Sequence, residues 1–119
     1  MLGQTFQESF FIAGTLAANA VIPVKVPENC TLHHVSASAS NNSDATLMLG
    51  ISTDTDSIMA AAAIGDSGAP TEFDKDNWAT TNPTGHLNKG EIFTVTLDYD
   101  GAAGTAAANV ALVFTFLEG

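Results

Sequence analysis

From Glu91 to Asp100 apolar and polar side chains alternate: Phe93, Val95 and Leu97 fall on one side, Ile92, Thr94, Thr96 and Asp98 on the other. Successive side chains of an extended strand point to opposite faces, so this pattern predicts a strand with one dry face and one wet one. Ala107–Leu117 repeats the alternation, with Val110, Leu112, Phe114 and Phe116 on one face and Ala111, Val113 and Thr115 on the other. Both of its faces are fairly apolar, which predicts a central strand covered on both sides. Gly101-Ala102-Ala103-Gly104-Thr105 joins the two runs, and Asp98-Tyr99-Asp100-Gly101 has the composition of a closing turn. The expectation is a hairpin.

Upstream, Gln4–Ile12 sets Phe6, Glu8, Phe10 and Ile12 against Thr5, Gln7, Ser9 and Phe11, a first strand that Ala13-Gly14-Thr15 should break. Ala20–Val26 places Ile22, Val24 and Val26 opposite Val21, Pro23 and Lys25. Neither Pro23 nor Pro27 can donate to a ladder, which predicts an edge strand. Pro27-Glu28-Asn29 reads as a turn, and Cys30–Ala39 as a strand rich in Ser and His. Asn41-Asn42-Ser43-Asp44 is a tight connection to Ala45–Ser52, where Leu47, Leu49 and Ile51 point inward and Thr46, Met48 and Ser52 outward. Asp54–Gly65 admits two readings. One is an Ala-rich strand over Ile58–Ile64, or irregular structure, favoured because everything around it is β. The other is a short helix through Met59–Ala63, capped by Asp54, Asp56 or Ser57 and ended at Gly65. Gly65–Asn88 is a long, turn-rich middle with Pro70, Pro83 and the only Trp, Trp78. Loops of that length in a small domain are usually functional or make contacts. Short strands spaced by turn signals predict an all-β protein, a single-domain antiparallel β-sandwich of jelly-roll or Greek-key type spanning 1–119.

Composition narrows the function. Charged residues make up only 13% of the 119 residues while apolar ones make up 45%, so small neutral side chains must cover the exposed faces. Such a surface suits a subunit packed against neighbours. The 13 acids against 3 Lys give a formal charge of −10, and Lys25, Lys75 and Lys89 are the only bases besides histidine. Binding a nucleic-acid backbone requires cations that displace counterions, so DNA and RNA are not expected partners. The same deficit argues against anionic membrane surfaces and phosphate-bearing substrates. The apolar stretch Phe10–Val26 is interrupted by Gly14, Asn19, Pro23 and Lys25 and has no basic segment before it. Neither a signal peptide nor a membrane span is expected, and synthesis in a cytoplasm is.

Candidate chemistry is sparse. No G-x-S-x-G, H-E-x-x-H or phosphate-binding Gly loop is present, so no catalytic residue and no cofactor is assigned. His33 and His34 are adjacent and should point to opposite faces of a strand, where they cannot easily share a metal. Asp54/Asp56, Asp74/Asp76 and Asp98/Asp100 would each present two carboxylates to one side in extended backbone, a pattern that hard cations accept. Asp54 onward lacks the glycine and closing Glu of an EF-hand, and turn chemistry accounts for all three pairs as well. Cys30, the single cysteine, sits in strand phase beside Leu32 and reads as a buried small hydrophobe. Trp78 and Tyr99 are the candidate contact residues, either for a subunit interface or for stacking on a sugar.

The succession Val24-Lys25-Val26-Pro27-Glu28-Asn29-Cys30-Thr31-Leu32, Gly50–Asp56, Ile64-Gly65-Asp66-Ser67-Gly68, Lys89-Gly90-Glu91 and Thr94–Asp98 before the Gly101–Ala108 turn resembles the small virion proteins of tailed bacteriophages. Among these it is most similar to head decoration (cement) proteins. The likeness covers most of the chain and lies in Ala/Thr/Gly-rich strands, acidic turns and scarce Lys or Arg. It has no diagnostic motif, so no binding residue is carried over. It implies a β-sandwich subunit, often a homotrimer, that docks on an assembled head and clamps copies of the major capsid protein at the virion surface. A second expectation is a carbohydrate- or receptor-binding module of a phage tail or fibre.

Overall fold

The computed structural model describes residues 4–119; the first three residues of the expected 1–119 domain lie outside the described ones. Nine strands follow one another: β1 (Thr5–Thr15), β2 (Ala20–Lys25), β3 (Cys30–Ser38), β4 (Thr46–Ile51), β5 (Asp54–Ala63), β6 (Thr71–Phe73), β7 (His86–Leu87), β8 (Ile92–Asp98) and β9 (Ala108–Glu118). They form two sheets packed face to face. The first has the order β1-β9-β3-β6, with β7 pairing β3 beyond β6; the second has the order β2-β8-β4-β5. All strand pairs are antiparallel. The expected all-β sandwich is what the chain forms.

The alternating faces predicted from the sequence are the ones buried. Phe93, Val95 and Leu97 of β8 oppose Val110, Leu112, Phe114 and Phe116 of β9 in the core between the sheets. Phe93 meets Phe114 and Phe116 edge-on, with ring centroids 5.4 and 5.7 Å apart. T-shaped aromatic pairs of this kind add to what burial alone contributes.

The expected hairpin does not form. β8 pairs with β2 and β4, whereas β9 pairs with β1 and β3, so the two strands lie in different sheets. Both carry a heavy apolar row, and side by side in one sheet those rows would share a single face. Placed on opposite sheets, about 10 Å apart, each row buries the other. The long loop after Asp98 makes that crossing. Asn41 anchors its far side by donating Nδ2–H to Ala106 O (2.9 Å) and accepting from Ala108 N (3.0 Å).

Three further expectations are refined. β9 is central in its sheet, but Ala111, Val113 and Thr115 on its outer face stay half-exposed rather than covered. β1 does not end at Ala13-Gly14-Thr15. A register shift between Ile12 and Thr15 absorbs Gly14, which has a φ of +80 and donates its N–H to Asn109 Oδ1 (2.8 Å). Asp54–Ala63 is a strand and the helical alternative falls, because β5 forms the one same-sheet hairpin with β4, around Ser52 and Thr53. Pro23 sits on an edge strand as expected, since β2 has a neighbour only in β8.

Candidate functional site

Because nearly every connection crosses between the sheets, loops alternate between two ends of the sandwich. One end gathers all the basic residues. Lys25 closes β2 opposite Ile92, His86 pairs Thr31, and Lys89 donates its backbone N–H to Asn29 Oδ1 (2.8 Å). At the same end a bulge in β3 shifts the register between Leu32 and His34. As a result His33 and His34, expected on opposite faces, line one open groove of about 400 Å³ together with Leu32, Asp74, Lys75 and Pro83. The His34 Nε2 lies 3.0 Å from Glu72 Oε1 on the outer face, an exposed pair of small energetic worth.

The lysine-bearing end holds acids too, among them Glu28, Asp74, Asp76 and Glu91; the opposite end carries no lysine, and Asp44, Asp66, Asp98 and Asp100 lie in its loops. Three of these carboxylates accept backbone N–H groups: Asp44 from Thr105 (2.7 Å), Asp66 from Ser43 (3.1 Å) and Asp98 from Asp100 (3.0 Å). At the lysine-bearing end Asp74 caps a 3-10 turn over Lys75–Asn77 by accepting from Asp76 N (2.9 Å). Two of the three acidic pairs are therefore turn chemistry, and Asp54 and Asp56 are exposed at the start of β5. Among the described residues no three of His, Cys, Asp and Glu come together as a metal site.

Cys30 is fully buried, and burial pushes its thiol up from its ordinary value. The folded chain thus favours the neutral thiol. The sign follows: this contribution to stability is whole below the unfolded thiol's pKa and is lost as pH rises past it. At pH 8 a thiol reagent is expected to label native Cys30 about a hundredfold more slowly than the urea-unfolded chain, since reaction needs local opening. Equal rates would mean that Cys30 stands open to water.

Trp78 and Tyr99 are not brought together. Trp78 is buried and donates Nε1–H to Leu32 O at 3.3 Å. Tyr99 is half-buried, packed against the core at the end opposite the lysines, where its N–H bonds Asn19 Oδ1 at 3.1 Å. Leu32 pairs Phe116 near the end of β9, whereas Tyr99 O accepts from Ala107 just before its start. The length of β9 puts the two aromatics roughly 30 Å apart. They cannot stack on one sugar ring.

The exposed faces hold what remains. The outer face of the first sheet presents Gln7, Ser9, Phe11, Ala111, Val113, Thr115, Ser36 and Ser38, without charge except at the His34–Glu72 pair. Phe11 is 66% exposed and Val21, on the outer face of the second sheet, 60%. Phe11 is the odd apolar residue on the polar side of β1.

The architecture and surface define a class: a two-sheet antiparallel β-sandwich with small, mostly neutral outer faces. No protein-family model matches the chain, and no curated protein matches it. Among solved structures, the chain is similar to one in "Capsid of Ralstonia phage GP4", with a TM-score of 0.64 and 18% identity, over 100% of this chain and 87% of that one. At that identity the two share a fold.

Proposed function

We propose that this chain is a non-enzymatic structural protein of a phage virion, acting as one domain of residues 1–119 that decorates the assembled head and binds its major capsid protein. The observation that carries the reading is the full-length likeness to a capsid chain of Ralstonia phage GP4. Strand order supports it as well. The arrangement β1-β9-β3-β6 against β2-β8-β4-β5 supports a jelly-roll reading, a fold common in viral shells. The charge of −10 disfavours nucleic acid and anionic membrane as partners, which suits the outer surface of a filled head. Synthesis belongs in the host cytoplasm, and three copies around a symmetric lattice point is the assembly we assign to it. Its mechanism is thermodynamic. A protein that binds the mature lattice and not its separated subunits stabilises that lattice by mass action. No cofactor and no catalytic group enters.

The test is add-back to heads of the encoding phage from which the protein has been deleted. Purified protein should saturate at fixed lattice positions seen by electron microscopy, and heads lacking it should rupture at lower temperature. Binding to glycans with no binding to heads would instead point to a tail or receptor-binding module.

A further inference from the structure

A sheet edge offers unpaired backbone groups to any extended chain, and proteins normally blunt such edges. Three of the four edges here are blunted. β2 carries Pro23 and Lys25. β5 begins with Asp54 and Asp56, and its middle is covered where Ile58 O accepts Ala79 N (2.6 Å) and Ser57 O accepts Thr81 Oγ1 (2.9 Å). β6 and β7 have only 3 and 2 residues. β1 is different. It runs for 11 residues without proline and pairs β9 without interruption from Thr5 to Ile12.

Its free groups can be assigned. Glu118 donates its N–H to Gln4 O (2.7 Å), which makes Gln4 and Glu118 a hydrogen-bonded pair. Such pairs alternate along an antiparallel ladder, so Phe6, Glu8, Phe10 and Ile12 bond β9. The N–H and C=O groups of Thr5, Gln7, Ser9 and Phe11 therefore point away from β9. Glu8 is the one charge on this strand. Its side chain points to the inner side yet remains exposed, and among the described residues no cation is paired with it. It stands at the rim of an apolar crevice between β1 and β2 whose walls include Phe6, Val24, Val26, Cys30 and Phe116.

We infer that β1 is a strand-addition site for an extended segment of a shell protein that carries a Lys or Arg opposite Glu8. This rests on the capsid-binding reading above and names the surface and partner chemistry for it. Strand addition supplies main-chain hydrogen bonds, and alternate side chains supply specificity. An added strand directs every second side chain inward, so one register sets a cation against Glu8 while the ladder forms. A second copy of this chain fits less well. Antiparallel β1–β1 pairing would bring two Glu8 carboxylates to the same inner face of a dimer whose halves each carry −10.

Ser9→Pro removes an outward N–H without touching the β1–β9 ladder, and Glu8→Lys reverses the selecting charge. Both variants should melt like the wild type. Each should need about tenfold or more protein to half-saturate deleted heads. A photo-crosslinking residue at Phe11 should join the chain to a shell-subunit peptide containing Lys or Arg. If wild type saturates the heads and both variants match it, the β1 edge is not the contact and the inference is wrong. Crosslinks between two copies of this chain would overturn it in favour of self-pairing. Wild type that never binds heads would refute the capsid reading itself, and this inference with it.

Discussion

Replacing Phe114 with alanine is expected to cost about 3–5 kcal/mol of folding stability. Phe114 is fully buried and sits on β9, the central strand, between Glu8 on β1 and Val35 on β3. Its ring meets Phe93 edge-on across the sandwich at 5.4 Å and Phe10 at 5.9 Å. Truncation removes transfer energy, both aromatic contacts and the volume that keeps the two sheets apart, and strands held by ladders on both sides cannot collapse into the gap. The urea midpoint should fall with little change in slope. Phe11→Ala is the matched control: the same substitution at an exposed position should stay within about 0.5 kcal/mol. A Phe114→Ala midpoint equal to wild type would mean that the wrong face of β9 has been placed inward.

The second large effect is expected at Gly65, where alanine should destabilise by about 1–3 kcal/mol or more. The backbone here is held from both sides: Gly65 donates to Ala37 O (3.0 Å) and accepts from Ala39 N (2.8 Å). Its φ is in the ordinary negative range, so glycine is needed for space and not for a left-handed turn. A β-carbon would overlap the carbonyl of Ala69 and crowd Thr71 N, both backbone atoms that cannot rotate aside. The loop returning from β5 to β6 would have to lift off β3. Gly68, which has a φ of +77 but open space around it, separates the two causes: alanine there is opposed by conformation alone. Thermal melts of both variants check the claim. Equal, small losses would show that the Gly65 contact relaxes freely.

Strand identity was largely legible from local pattern. The inward rows of β4, β8 and β9, the edge position of Pro23 and the burial of Cys30 all follow from alternation and from what each residue can donate. The candidate contacts were less legible. Trp78 and Tyr99 stand out as the single Trp and the single Tyr, yet burial and the length of β9 part them, whereas the β1 edge leaves no local mark. An exposed edge is a property of what does not pair, and no window of sequence displays it. The bulge at His33 is hidden for a similar reason: it exists only relative to the partner strand β9.

By itself, the sequence determined that this chain is made of strands, which side of most of them is apolar, and that its surface is acidic and poor in charge. Those properties depend on neighbours one or two residues away. Only the tertiary structure decided that β8 and β9 face each other instead of pairing, that the bases share one end, and that β1 is left unblunted. Such choices join residues far apart along the chain, as when Phe6 lies beside Phe116. They are settled by which arrangement buries every apolar row at once.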